Sequence, residues 1–324
     1  MKIAFLGSAE FSKIVLQELN ENSNNEVVCV VTNLDKQSGR GQKIKFSPVK
    51  DYAMQNNIPV LQFSKVSLEG YDQIKAFNPD ALVTASFGQI LKQNILDLAP
   101  YGVINVHSSL LPQYRGSCPI NWVLINGETK TGVTIMKTNI GLDTGDMILK
   151  EEVELDSKIT AGELTLKLAD VGAKLLVKAL EKIENNTATY TKQNDSQSSY
   201  YPMLNKQMGK IDFNKSNVEV VNLVRGLNPW PVCFVNANIS NQETILKVYS
   251  ASVYELPSEK FEEIKTQNFK PGQVVLSSAK RGLIVKCGSG FVSLNVIQAQ
   301  NSKPMQANAY LNGKVIPVGT MLNG

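Results

Sequence analysis

Histidine is almost missing from this chain: His107 is the only one in 324 residues. Any imidazole chemistry rests on that one side chain. A histidine-based transition-metal site is excluded, because such sites draw several His, Cys or Asp ligands at set spacings. Cysteine is scarce as well. Cys29, Cys118, Cys233 and Cys287 lie far apart and form no C-x-x-C pair. They read as free thiols in a reducing cytoplasm, not as a disulfide framework or zinc ligands. No apolar run approaches the roughly 18 residues that span a membrane. Met1 to Gly7 is largely apolar, but it is short, and charged Glu10 and Lys13 follow at once. That predicts a first β-strand instead of a signal peptide. Nucleotide loops are absent too. Gly7-Ser8-Ala9-Glu10-Phe11 offers one glycine where G-x-G-x-x-G needs three, and no G-x-x-x-x-G-K-[ST] loop occurs. Both absences argue against a nicotinamide enzyme and a P-loop NTPase.

Acidic side chains are missing from one end. After Glu263 there is none, whereas Lys265, Lys270, Lys280, Arg281, Lys286, Lys303 and Lys314 follow. Residues 206–324 hold 13 basic and 7 acidic side chains, against 20 and 22 in residues 1–205. The net charge of +4 thus conceals a strongly basic C-terminal part. Such one-sidedness suits a polyanion; a solvated basic face has the same composition.

What is present has a clear order. The length suggests about two domains. The first half alternates strand signals (2–7, 26–31, 80–85, 102–107) with helix signals (11–19, a start at Ser47-Pro48, 90–98, 120–125). This predicts an α/β fold, an open, mostly parallel, twisted Rossmann-like sheet with helices on both faces. Thr160-Ala161-Gly162-Glu163 is a capping box, and Leu164, Leu168, Val171 and Leu175 stripe the helix it opens. The polar run Gln193 to Ser199 is the best linker candidate. Beyond it, short β-rich runs at 232–235, 245–248, 273–276, 283–285 and 291–296 are separated by Pro and Gly. They suggest a small OB-like β-barrel, whose open face can hold an oligonucleotide. The expected division is residues 1–189 for the catalytic α/β domain, 190–206 for a linker and 207–324 for the barrel.

The lone histidine sits in Gly102-Val103-Ile104-Asn105-Val106-His107. Strand side chains alternate faces, so Asn105 and His107 share one face and Val106 takes the other. An amide donor and a proton-shuttling ring then converge at the carboxyl end of a strand, where ligands bind in such sheets. That pair suits a carbonyl-centred reaction. The bland alternative is a buried histidine with a satisfied hydrogen bond. The Gly-punctuated loop Gly141-Leu142-Asp143-Thr144-Gly145-Asp146 supplies two candidate carboxylates.

Asn105 to Gly116, with Ser108-Ser109-Leu110-Leu111-Pro112 at its centre, resembles the signature of the folate-dependent formyltransferase family. Thr131 to Met136 followed by Gly141 to Asp146 is similar to that family's acidic loop. Gly39-Arg40-Gly41-Gln42-Lys43, Ser47-Pro48-Val49-Lys50 and Leu227-Asn228-Pro229-Trp230-Pro231 resemble in particular its tRNA-acting members. The likeness runs from about residue 2 to about residue 320, dense over 102–147 and loose after 240. One departure is Ser8-Ala9, where the family usually has Thr-Pro.

The resemblance implies an enzyme that moves a formyl group from 10-formyltetrahydrofolate to the α-amino group of initiator Met-tRNA, without a metal, in the cytoplasm, as a monomer. Asn105 would donate to the tetrahedral oxyanion. His107, with Asp143 holding its ring and favouring its protonated form, would relay the proton from the amine to the departing folate nitrogen. Which of the two first takes that proton stays open. Asp146 is the rival carboxylate and is read as loop structure. Ser109, Leu110, Leu111 and Pro112 are the expected folate contacts, and Phe87, Gly88 and Ile90 the loop lining the pterin pocket. Two leucines and a proline suit the flat pterin better than a charged ligand, and Gly88 allows close backbone approach. Arg40, Lys43 and Lys45 lie in a long cationic loop expected to order on acceptor-stem RNA. Arg115 could position the loop, reach a tRNA phosphate or make a surface salt bridge, and Trp230 reads as an aromatic-packed junction. Rival readings are a nucleotide-sugar formyltransferase, a glycinamide-ribonucleotide formyltransferase (which would lack the second domain), a formyl-folate hydrolase and a non-catalytic RNA-binding protein. The basic C-terminal region favours tRNA.

Overall fold

The structure, a computed structural model, describes residues 1–38, 43–239, 242–257 and 267–323. The chain divides into two compact units. One comprises residues 1–119, 130–154 and 164–201; the other comprises 120–129, 155–163 and 202–324.

The first unit carries β1 (Lys2–Gly7), β2 (Glu26–Thr32), β3 (Lys36–Ser38), β4 (Lys43–Lys45), β5 (Val60–Gln62), β6 (Ala81–Ala85), β7 (Val103–His107), β8 (Arg115–Gly116), β9 (Lys130–Lys137), β10 (Met147–Glu154) and β11 (Tyr200–Tyr201). Its helices are α1 (Glu10–Glu21), α2 (Pro48–Gln55), α3 (Val66–Glu69), α4 (Tyr71–Lys75) and α5 (Gln93–Leu96). Between β8 and β9 runs α6 (Pro119–Ile125), most of it in the second unit, and α7 (Ala161–Glu184) follows β10. Seven strands form one sheet in the order β10-β9-β7-β6-β1-β2-β5. The five from β7 to β5 are parallel, β9 runs antiparallel to β7, and β10 antiparallel to β9. This is the expected mostly parallel α/β sheet. Ile3 to Leu6 and Ala81 to Ala85 are buried without interruption, as strands covered on both faces must be. The chain fills β2 and β5 on one side of β1, then crosses to β6 and β7 on the other. The carboxyl ends of β1, β6 and β7 therefore border the crevice where the order reverses.

Alternation along β7 works as the sequence implied. A Cβ on Gly172 of α7 would lie 2.9 Å from Val106 and 3.2 Å from Val133, so a glycine lets α7 press onto the back of β7 and β9. Val106 faces that helix; Asn105 and His107 face away from it. Ser47 caps α2 by accepting from the Lys50 N–H, with Pro48 in the first turn. The helix expected over 90–98 shortens to the single turn of α5. The polar stretch read as a linker also carries structure. Tyr200–Tyr201 pairs in parallel with Arg115–Gly116, and Thr191 bridges Met147.

The second unit adds α8 (Asn217–Gly226), β12 (Cys233–Ile239), β13 (Gln242–Tyr254), β14 (Val274–Ser278), β15 (Gly282–Lys286), β16 (Phe291–Gln298), β17 (Met305–Gln306), α9 (Ala307–Gly313) and β18 (Leu322–Asn323). Its strands form an antiparallel sheet ordered β14-β15-β16-β13-β12-β18, with β17 added to β16. The sheet curls. Leu322–Asn323 pairs with β12, while the Val274 N–H donates to the Thr320 carbonyl and the Leu322 N–H to the Gly272 carbonyl. The last residues thus stitch one edge of the sheet to the other, as the barrel expectation requires. Val235, Leu246, Leu283, Val285, Val292 and Leu294 are fully buried inside the curl. At roughly 1.5–3 kcal/mol per buried aliphatic side chain, these residues are its main source of stability. The α8 helix, not foreseen from the pattern, packs on β13. Trp230 is 52% exposed, so its indole is not the packed element expected.

Candidate active site

Asn105 lies at mid-strand on β7, and His107 ends it. The Thr84 hydroxyl, on neighbouring β6, donates to Asn105 Oδ1 at 3.0 Å. The amide is thereby turned so that its NH2 group remains to donate elsewhere. His107 is 6% exposed. Its Nε2 stands 3.0 Å from the backbone carbonyl of Tyr114. A carbonyl only accepts, so Nε2 carries a proton and Nδ1 is the nitrogen left to exchange one. Tyr114 reaches this position in the left-handed region, at φ 58°, a conformation costly for a residue with a side chain and frequent at functional sites.

Asp143 also sits in the left-handed region, at φ 53°. Its Oδ1 lies 3.8 Å from His107 Nδ1, close enough to stabilise an imidazolium but too far for a hydrogen bond. The ring is therefore held by the Tyr114 carbonyl, and the carboxylate faces its free nitrogen. Asp143 Oδ2 accepts from the Gly116 N–H at 2.8 Å. The backbone carbonyl of Asp146 takes the Lys137 N–H.

The loop after His107 is tied to β9. Thr134 Oγ1 donates to the Ser109 carbonyl at 2.7 Å and accepts from the Leu111 N–H at 3.1 Å. Ser109 is fully buried, with its hydroxyl on the Gln113 carbonyl. Leu111 packs with Met136 and Met147, whereas Leu110 and Pro112 are half-buried. Of the loop after β6, Phe87 is buried in the core with Leu82, Leu91 and Ile95, while Gly88 and Ile90 are exposed, Ile90 at 85%. An added Cβ on Gly88 would meet nothing within 4 Å, so its freedom serves φ +76° and open backbone. Gln89 pins this loop: Oε1 accepts from the Val66 N–H, and Nε2 donates to Asn33 Oδ1 and the Phe63 carbonyl. At the departure Ser8-Ala9, the Ser8 hydroxyl accepts from the Asn33 N–H. Among the cations expected on RNA, Lys45 is exposed on the β3–β4 hairpin and Lys43 begins β4. Arg40 lies outside the described residues.

Arg115 does make a salt bridge, to Asp195, but from inside the fold and not at the surface, an arrangement that fits the loop-positioning reading. It is 2% exposed. Its Nε and Nη2 donate to Gln193 Oε1 at 3.0 and 2.8 Å, Nη1 to the Tyr200 hydroxyl at 2.8 Å, and Nη2 to Asp195 at 2.8 Å. In the sequence, Gln193 stands out only as linker composition. No local pattern marks it, because its partners lie 48 to 78 residues away. Among the described residues, no cluster of three or more His, Cys, Asp or Glu could hold a metal, and no helix is long and apolar enough to cross a membrane.

The class of protein is set by both halves of the chain. The formyl transferase family profile matches residues 1–180, and that of the formyl transferase C-terminal domain matches residues 203–315. The N-formyltransferase from Helicobacter canadensis, in complex with folinic acid and dTDP-3-aminofucose, shares the fold at TM-score 0.64 and 22% identity, over 91% of this chain and 98% of that one. Methionyl-tRNA formyltransferases from Acetivibrio thermocellus and Clostridioides difficile are 46% and 45% identical over 323 residues, covering 99% of this chain and 99% and 100% of theirs. The chain belongs to the methionyl-tRNA formyltransferase family.

Proposed function

We propose that Asn105, His107 and Asp143 carry the transfer of the formyl group of 10-formyltetrahydrofolate to the α-amino group of methionine on initiator Met-tRNA. The observation that bears most weight is their arrangement. The Asn105 amide and the His107 ring share one face of β7, and a carboxylate stands 3.8 Å from the ring's free nitrogen. The amine nitrogen attacks the formyl carbon, and the carbonyl π electrons move to oxygen. The Asn105 NH2, oriented by Thr84, donates to that oxyanion. Such a donor is worth about 3 kcal/mol in the transition state. His107 Nδ1 takes the proton leaving the amine and returns one to the folate nitrogen as the carbon–nitrogen bond of the donor breaks. Asp143 lowers the energy of the intervening imidazolium. Proton count and charge balance with no further reactant.

Ser109, Leu110, Leu111 and Pro112, with the loop of Phe87, Gly88 and Ile90, form the folate-binding part. Burial of Ser109, Leu111 and Phe87 makes these three supports of the wall, leaving Leu110, Pro112 and the backbone at Gly88 to meet the ring. The catalytic domain is residues 1–189 and the tRNA-binding domain 207–324, with Arg40, Lys43 and Lys45 as further phosphate contacts; of the connecting stretch 190–206, residues 190–201 pack as part of the first unit. The enzyme works in the cytoplasm as a monomer; its free thiols suit that compartment. The test is incubation with 10-formyltetrahydrofolate and charged initiator tRNA, scoring acid-precipitable formyl label. Label should appear on charged initiator tRNA and not on uncharged tRNA. Formate release with no label on tRNA would mark a hydrolase instead.

A further inference from the structure

We infer that Gln193, locked by the buried Arg115, is a positioning residue that sets the reach of Asp143 toward His107. The inference rests on the catalytic reading of Asp143 given above. Gln193 Nε2 donates to the backbone carbonyls of both Asp143 and Gly145, each at 2.8 Å. Its Oε1 takes two hydrogen bonds from the Arg115 guanidinium. All four hydrogen-bonding positions of the amide are used, so it has one orientation. Arg115 is in turn fixed by Asp195 and Tyr200. Ser199 holds the strand that bears Arg115, accepting the Tyr114 N–H on its hydroxyl and the Arg115 N–H on its carbonyl. One clamp thus grips two strategic backbones: the carbonyl side of the Asp143 loop, and the Tyr114–Gly116 segment. That segment supplies the carbonyl holding His107 Nε2 and the N–H holding Asp143 Oδ2.

A clamp is needed because the loop has no slack. Asp143 is in the left-handed region, and a Cβ on Gly145 would fall 1.8 Å from the Lys137 carbonyl. At 3.8 Å the carboxylate is one small displacement from a hydrogen bond with Nδ1 and another from losing the ring altogether. A misplacement of about 1 Å by a side chain away from the chemistry can cost roughly 100-fold in rate.

The experiment compares Gln193→Ala, Gln193→Glu, Asp143→Asn and the double variant Gln193→Ala/Asp143→Asn in steady-state formyl transfer, with thermal unfolding confirming a folded chain. Gln193→Glu keeps the side-chain volume and the Arg115 pairing but cannot donate to the loop carbonyls. It serves also where Gln193→Ala folds poorly. We expect both Gln193 variants to lower kcat by about 10- to 100-fold, with KM for the folate donor changed by less than about threefold. The double variant should be no slower than Asp143→Asn, because a residue acting through Asp143 has nothing left to position. Folded Gln193 variants with normal kcat beside an impaired Asp143→Asn would overturn the clamp and leave the catalytic trio standing. Losses that multiply in the double variant would also overturn it, placing Gln193 on another step. Full activity in Asp143→Asn would bring down the reading of Asp143 and the clamp with it.

Discussion

The hydrogen bond from Thr84 to Asn105 offers the sharpest probe of the oxyanion assignment. Thr84→Val replaces a hydroxyl by a methyl of nearly the same volume at a site 7% exposed, so packing is preserved. What disappears is the bond that turns the Asn105 amide. A hydrogen bond of this type contributes about 0.5–1.5 kcal/mol net, equivalent to a factor of roughly 2 to 13 in the population of the productive orientation. The donor itself persists in the variant. In Asn105→Ala it is gone, and removal of one oxyanion donor costs about 100- to 1,000-fold in kcat. The expected order is therefore wild type, Thr84→Val two- to tenfold slower, and Asn105→Ala slower still by at least another order of magnitude. KM for the folate should stay level throughout, since the interaction belongs to the transition state. Thr84→Ser, which restores the hydroxyl, should recover most of the rate. Formyl transfer measured across a range of folate concentrations, up to saturation, is the assay. The reasoning fails if Thr84→Val is as slow as Asn105→Ala, if either raises only KM, or if Thr84→Val slows the Asn105→Ala enzyme further.

Four other outcomes are expected. His107→Ala should fold and lose at least about 100-fold in kcat, the scale of general acid–base catalysis, because no second imidazole exists to substitute; a folded variant with most of its activity would remove His107 from the mechanism. Gly145→Ala must shift the acidic loop, since its Cβ meets the Lys137 carbonyl at 1.8 Å, and formyl transfer should fall with it; retained activity would show that the loop tolerates displacement. Burial pushes the Cys29, Cys233 and Cys287 thiols up to about 12 from 9.0, so the folded chain keeps protons that the unfolded chain releases, and stability present below pH 9 declines from pH 9 toward 12. Urea unfolding at pH 8 and pH 10.5 should show a smaller decline for Cys29→Ala than for wild type, and equal declines would contradict the assignment. Neutralising exposed Lys280, Arg281 and Lys303 should flatten the dependence of log tRNA affinity on log salt, by about 0.7–0.9 for each phosphate that a cation no longer neutralises; an unchanged slope would make the basic surface merely solvated.

Local periodicity carried much of the fold into view. The apolar runs of β1, β6 and β7 are buried on both faces, so composition alone separates them from their neighbours. Ser47-Pro48 and the Thr160–Glu163 box mark real helix starts because a cap is a matter of three or four adjacent residues. The α8 helix could have been found by the same rule. Ser216 and Glu219 form a reciprocal capping box, a local signal of the same kind just ahead of the β-rich runs. The stretch from 190 to 206 is hard to read for the opposite reason. Its Ser, Asn, Gln and Asp residues look like solvated linker, yet several spend their polar groups on partners near residues 114–116 and 143–145.

The same distinction separates the legible part of the site from the hidden part. Asn105 and His107 are two residues apart on a strand, so the pleat alone puts them on one face. Asp143 needed the family resemblance, because 36 residues of chain separate it from His107 and Asp146 has the same chemistry. The group that orients the His107 ring is the carbonyl of Tyr114, a backbone atom that every residue type possesses and that no sequence pattern can announce. Arg115 is visible in the sequence as a cation, but its charge alone does not choose between a phosphate, a salt bridge and a part in positioning the loop. In the fold that charge is spent on Gln193, Asp195 and Tyr200, 78 to 85 positions along the chain. A buried guanidinium with three donor directions must find matching acceptors or not be buried at all. That requirement explains why an amide, a carboxylate and a phenol from one polar stretch converge behind the acidic loop. Residues that touch the reacting atoms can be recognised by type, while those that hold them in place are recognised only once the chain has brought distant segments together.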